Sequence, residues 1–94
     1  MKITLDIPDD GWFKGSSDIR PKDKQFCVVV FDDTIRVCQY RKCLFDMDEL
    51  IIGLIRPEYW SWNFVTLWKP IDIPVDVKTR ICVKIENWIE EDER

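Results

Sequence analysis

Paired carboxylates at Asp9 and Asp10, Asp32 and Asp33, and Asp46 and Asp48 are the first side chains in this sequence that could do acid-base or metal chemistry. The thiols of Cys38 and Cys43, beside Arg41 and Lys42, are the second. Nearby cations lower a thiol pKa, so a redox pair or a thiolate nucleophile is conceivable there. Each carboxylate pair, however, falls where a turn or a helix cap asks for aspartate on its own account. The chain has no histidine, which removes the commonest general base and every Ser-His or Cys-His nucleophile. Its four cysteines (Cys27, Cys38, Cys43 and Cys82) contain no C-x-x-C spacing, so neither a zinc site nor a disulfide framework is signalled. Gly11, Gly15 and Gly53 are too scattered to cradle a phosphate. These residues predict no catalytic site, no cofactor and no metal. They also predict reduced thiols of a cytoplasmic protein, with Cys27 and Cys82 acting as small hydrophobes.

What remains is aromatic. Read as one strand, residues 58–70 place Trp60, Trp62, Phe64 and Trp68 on a single face, with Thr66 the only small polar residue in the row. Such a row is either the wall of a core or a platform for a ring-shaped ligand or a partner's side chains. Trp68 belongs to the core on this reading. Trp60 and Trp62, next to Tyr59 and Arg56, are the candidate open end, because Trp, Tyr and Arg are enriched where partners anchor and bases stack.

At 94 residues the chain supports a single domain spanning 1–94, and a domain of that size buries only about two thirds of its unfolded surface. Five Trp, five Phe and two Tyr supply the bulky core that this demands. Residues 86–94 hold five acids (Glu86, Glu90, Glu91, Asp92 and Glu93) against Arg94, which accounts for the whole net charge of −4. A general nucleic-acid binder needs a basic stripe, and only Arg20, Lys22, Lys24, Arg36, Arg41 and their neighbours could contribute to one. General nucleic-acid binding is therefore not expected. No window approaches the roughly 20 apolar residues of a membrane span, and the first residues carry no export-like apolar run.

The elements that must position these groups follow from periodicity. Ile3, Leu5 and Ile7 alternate as a half-buried strand, followed by a long loop over 8–24 that Trp12 and Phe13 pin to the body. Residues 25–31 are apolar on both faces and predict a central strand. Asp32-Asp33 is a break of hairpin length, and residues 34–40 form the antiparallel partner. Asp46, with Glu49 three residues on and Leu50, Ile51, Leu54 and Ile55 at helical spacing, predicts a short helix ended by Pro57. Residues 75–92 satisfy both periods. Their length and the face Val77, Ile81, Ile85, Trp88, Ile89 favour a helix with Val83 exposed, although acids at its C-terminal end oppose the helix dipole. The resulting class is α+β, a mainly antiparallel sheet in the order β-β-β-α-β-α with a C-terminal helix.

Trp12, Ile19-Arg20-Pro21, the strand Val28-Val29-Val30-Phe31 and the segment Val65-Thr66-Leu67-Trp68-Lys69-Pro70-Ile71 are similar to an uncharacterised family of small bacteriophage and prophage proteins. That family has an opening Trp, an R-x-P turn, a V-L-V strand and a closing V-T-x-W-x-P-L signature. This chain departs from it with Leu67 where a histidine commonly precedes the tryptophan. The resemblance implies a phage or mobile-element origin, a compact α+β fold and no established catalytic residue. By analogy with small acidic phage proteins, the expected function is non-enzymatic and stoichiometric. The protein would inhibit a bacterial host or defence component in the cytoplasm of the infected cell by direct binding. In this reading Glu86, Glu90, Glu91, Asp92 and Glu93 occlude a basic, nucleic-acid-handling surface, and Trp60 or Trp62, beside Tyr59, anchors the contact. The rival expectation is a homo-oligomeric nucleotide sponge, holding a small nucleotide between tryptophans while Arg20, Lys22, Lys24, Arg36 or Arg41 meets the phosphates.

Overall fold

Two tight turns organise the sheet. Strand β2 (Phe26–Phe31) returns as β3 (Thr34–Leu44) through Asp32-Asp33, and β3 returns as β4 (Met47–Gly53) through Phe45-Asp46. In both turns the two central residues have positive φ (52° and 58°, then 54° and 60°), the geometry of a type I′ hairpin. Aspartate tolerates that region because its short polar side chain can bond locally. The structure, a computed structural model, describes residues 11–93, so the strand expected over residues 2–7 lies outside them.

The remaining strands among the described residues are β1 (Phe13–Lys14), β5 (Tyr59–Ser61) and β6 (Leu67–Pro70), and these six form one antiparallel sheet in the order β1-β6-β2-β3-β4-β5. Among the described residues one α-helix, α1 (Val75–Asp92), follows. The class is α+β as the sequence indicated, but the helix expected over 46–56 is strand β4. Leu50, Ile51 and Ile52 are all buried, Ile51 in the core on one face of the sheet and its two neighbours in the core on the other. A strand covered on both sides reads as a continuous apolar run, which helical spacing also fits. Asp46 does not cap a helix; it is the second residue of the turn.

The aromatic segment is also not one strand. β5 lies at one edge of the sheet, β6 lies beyond β2 near the other, and residues 62–66 carry the chain across the face between them, starting with a 3₁₀ turn at Trp62–Phe64. Ser61 starts that turn by accepting a hydrogen bond from the Asn63 amide at 3.2 Å. The crossing buries Trp62 edge-on between Tyr40 (ring centroids 5.2 Å apart) and Trp68 (6.1 Å). These rings join Cys27, Val29, Phe31, Cys38, Ile51 and Val65 in the first core, with Phe13 and Trp60 against its sides. Residues 15–21 complete the cover: the Trp62 indole N–H donates to the Gly15 carbonyl at 2.9 Å and that of Trp68 to the Ile19 carbonyl at 3.1 Å. Any Cβ at Gly15 would lie 2.0 Å from the Val65 carbonyl oxygen, so only glycine lets the two segments touch.

The opposite face carries α1. Ile85 and Ile89 are buried against Phe26, Leu44, Leu50 and Ile52, with Ile81, Cys82 and Trp88 alongside. The helical period chosen for residues 75–92 is the one adopted, and Val83 faces out. Among the described residues no helix is long and apolar enough to cross a membrane.

Candidate binding surface

The residues singled out as partner contacts separate into structural and available groups. Trp62 is 2 % exposed and is a core residue, so it cannot serve as the surface anchor expected of it. Tyr59 packs edge-on against Phe45 at 5.3 Å, and its hydroxyl donates to the Asp92 carboxylate at 2.5 Å, fastening the end of α1 to β5. Burial first, and then the bond to Asp92, hold this phenol well above its ordinary pKa.

The acidic end is likewise divided. Glu86 accepts from Arg41 at 2.7 Å and Asp92 from Tyr59, so both dock the helix. Glu90, Glu91 and Glu93 lie on its exposed side.

The five cations proposed for a nucleotide do not converge. Arg41 is buried against α1, with Glu86 at 2.7 Å and Asp23 at 3.9 Å. Arg20 pairs with Glu49 at 2.8 Å, donates to the Ser17 carbonyl and lies 5.4 Å from the Trp62 ring centre, fixing the covering loop. Glu49 also accepts from the Tyr40 hydroxyl at 2.6 Å. Lys22 and Lys24 are exposed on that loop. Arg36, five residues from Arg41 on the same strand, points to the opposite face.

Cys27, Cys38 and Cys82 are placed for packing, whereas Cys43 is exposed. Cys38 and Cys43 lie on one strand five residues apart, roughly 17 Å, so the redox pair considered for them is not formed. Cys38 faces Cys27 across β2 and β3 instead. Burial pushes both thiols up to about 12, the Arg36 charge opposing this only in part at Cys38, and neither ionises near neutrality. Asp32, Asp33 and Asp46 are turn residues, Asp48 lies on β4, and Asp9 and Asp10 are outside the described residues.

One surface gathers what is left. Trp60, half-buried on edge strand β5, tilts against Phe31 with ring centroids 5.2 Å apart, and the Arg36 guanidinium lies 4.9 Å from the Trp60 ring and 5.4 Å from that of Phe31. Glu58 stands 3.6 Å from Arg36 and 3.9 Å from Arg56. Two hollows open on either side. One, of about 410 Å³, is lined by Arg36, Val37, Leu54, Ile55, Arg56 and Trp60 among others. The second, about 480 Å³, is lined by Phe31, Asp32, Trp60 and Phe64. Ile55 is 85 % and Phe64 65 % exposed, whereas the sequence pattern puts Ile55 on a helix face and leaves the open end of the aromatic row to Trp60 and Trp62. Ser61-Trp62-Asn63 was the available signal, because Ser and Asn around an aromatic residue favour a turn that rotates the next side chain outward. Large exposed apolar side chains clustered around a tryptophan and two arginines have the composition of an interface core. No protein-family model, no curated protein and no solved structure matches this chain.

Proposed function

We propose that this protein is a stoichiometric, non-enzymatic binder whose contact surface is the Trp60 edge, with Ile55, Phe64 and Arg36 around it. The observation that carries this is the exposure of Ile55 and Phe64 beside a half-buried Trp60, since a small domain that buries Trp62 and Trp68 gains nothing in its own fold from leaving them open. The partner class is a protein with a basic surface, of the kind found on nucleic-acid-handling components of bacterial defence. Glu90, Glu91 and Glu93 would steer it by long-range attraction, and the aromatic edge would hold it. The phage origin implied by the resemblance sets this in an infected bacterial cytoplasm.

A second reading, a nucleotide base stacked at the same edge, draws on the contact between Arg36 and Trp60, which places a phosphate-binding cation beside a ring face. Native mass spectrometry of the protein purified from infected cells separates the two. The protein reading expects a copurifying polypeptide that is lost in Phe64→Ser and Ile55→Ser. An added mass of a few hundred daltons, lost in Arg36→Ala and kept in those two variants, would replace it with the nucleotide reading.

A further inference from the structure

The hollow between Phe31, Trp60 and Phe64 has a chemistry more specific than a greasy contact. Phe31 and Trp60 meet at an interplanar angle of 52°, so their faces form a wedge and not a stack. Phe64 lines the same hollow, and Asp32, the one charged residue of the four, completes its lining. Ring faces carry negative electrostatic potential, and several of them around one space, with a carboxylate at the side, favour a compact cation with an apolar shell. The same two rings already hold a cation from within the chain, the Arg36 guanidinium. Glu58, 3.6 Å from it, offsets its charge, and Arg36 does not line the hollow that Phe31, Asp32, Trp60 and Phe64 enclose.

We propose that the Phe31, Trp60 and Phe64 hollow is a receptor for an alkylammonium group, filled in the complex by a lysine side chain of the basic partner. The proposal rests on the protein-binding reading above and names the chemistry its contact would recognise. A guanidinium is the poorer fit, because its planar fork stacks best on an open ring face, whereas Phe31 and Trp60 meet in a wedge and Arg36 already lies 4.9 Å from the Trp60 ring centre. A lysine instead lays its methylenes along Phe64 and delivers its ammonium between the rings, toward Asp32.

The test uses the whole chain, isotope-labelled, with the Trp60 indole N–H resonance followed by nuclear magnetic resonance. Three probes are titrated: N-acetyl-lysine methylamide, its arginine counterpart, and the uncharged norleucine counterpart. The lysine probe is expected to shift the Trp60 signal saturably, with roughly three- to tenfold weaker binding in Asp32→Asn and in Phe64→Ala, the range that a cation-ring contact supports. Phe64 is largely exposed, so its replacement leaves the fold intact and avoids the ambiguity of Trp60→Ala. Equal response to norleucine would show a plain apolar groove and overturn the proposal. A stronger response to arginine, or no saturable response to lysine, would overturn it as well. Failure here, with the copurifying protein still lost in Phe64→Ser, removes the ammonium site and leaves the protein-binding reading standing. A lysine response without any copurifying protein does the reverse.

Discussion

The Arg41 guanidinium reaches Glu86 at 2.7 Å and thereby ties the middle strand of the sheet to the helix that covers it. Arg41 is nearly buried whereas Glu86 is half exposed, so the two are not equivalent under mutation. Glu86→Ala leaves a buried cation short of its main partner and is expected to cost about 1 to 3 kcal/mol. Arg41→Met removes the charge and keeps the packing volume, and should cost less. Urea denaturation of the two variants checks the order, and a costlier Arg41→Met would mean that the pair itself is a large net stabiliser.

Trp68 and Gly15 carry the cover of the first core. Trp68→Ala should lose about 3 to 5 kcal/mol, enough to unfold a domain this small. Gly15→Ala, one methyl group on an otherwise buried position, should be comparably damaging because the added carbon meets the Val65 carbonyl oxygen at 2.0 Å. Thermal melting tests both. A Gly15→Ala protein that melts within a few degrees of wild type would refute the close approach of the two covering segments.

Alkaline pH should destabilise the fold through its buried thiols. Cys27 and Cys38 rise from 9.0 to about 12, so between those values the unfolded chain releases protons that the folded chain keeps. Stability is then full below about pH 9 and falls as pH rises, with Tyr40 and Tyr59, also held above their ordinary value, extending the loss. A Cys27→Ala, Cys38→Ala double variant is less stable at neutral pH through lost packing, but its stability should fall less steeply between pH 9 and 10. An unchanged slope would show that the thiols ionise normally.

The exposed acids should act on association and not on the fold. Replacing Glu91 and Glu93 with Gln should slow binding to the partner and flatten its salt dependence, with the melting temperature changed little. Asp92→Asn belongs to a different class, because Asp92 accepts from Tyr59, and it should lower stability by about 1 kcal/mol. Stopped-flow association across a salt series, paired with melting curves, distinguishes the two groups.

Legibility of the sequence followed local conflict. The hairpin at Asp32-Asp33 was readable because turn chemistry and apolar period agreed there, and the helix over 75–92 because its length and the face Val77, Ile81, Ile85, Trp88, Ile89 outweighed a competing strand period. The turn at Phe45-Asp46 was hidden, since phenylalanine is a poor residue for positive φ and Asp46 with Glu49 imitates a helix start. That one turn decided whether 47–53 would be helix or strand. At the exposed aromatic edge, Trp60 stands where the sequence suggests an open ring, whereas Trp62 is in the core. Adjacent tryptophans at i and i+2 share a face only while the strand continues, and this one ends at Ser61.

Because β6 sits between β1 and β2, the growing chain meets a problem of timing on the ribosome. Strands β2 to β5 are joined in sequence order and can pair as they emerge, yet β2 keeps one bare edge until Leu67–Pro70 has been made, and its Phe26 to Phe31 run is apolar on both sides. During that interval the nascent meander is a template for another chain's strand. Rapid delivery of residues 62–70 is thus a condition for a good yield of folded protein. Slowing translation within that stretch should raise the aggregated fraction without altering a single contact of the finished molecule.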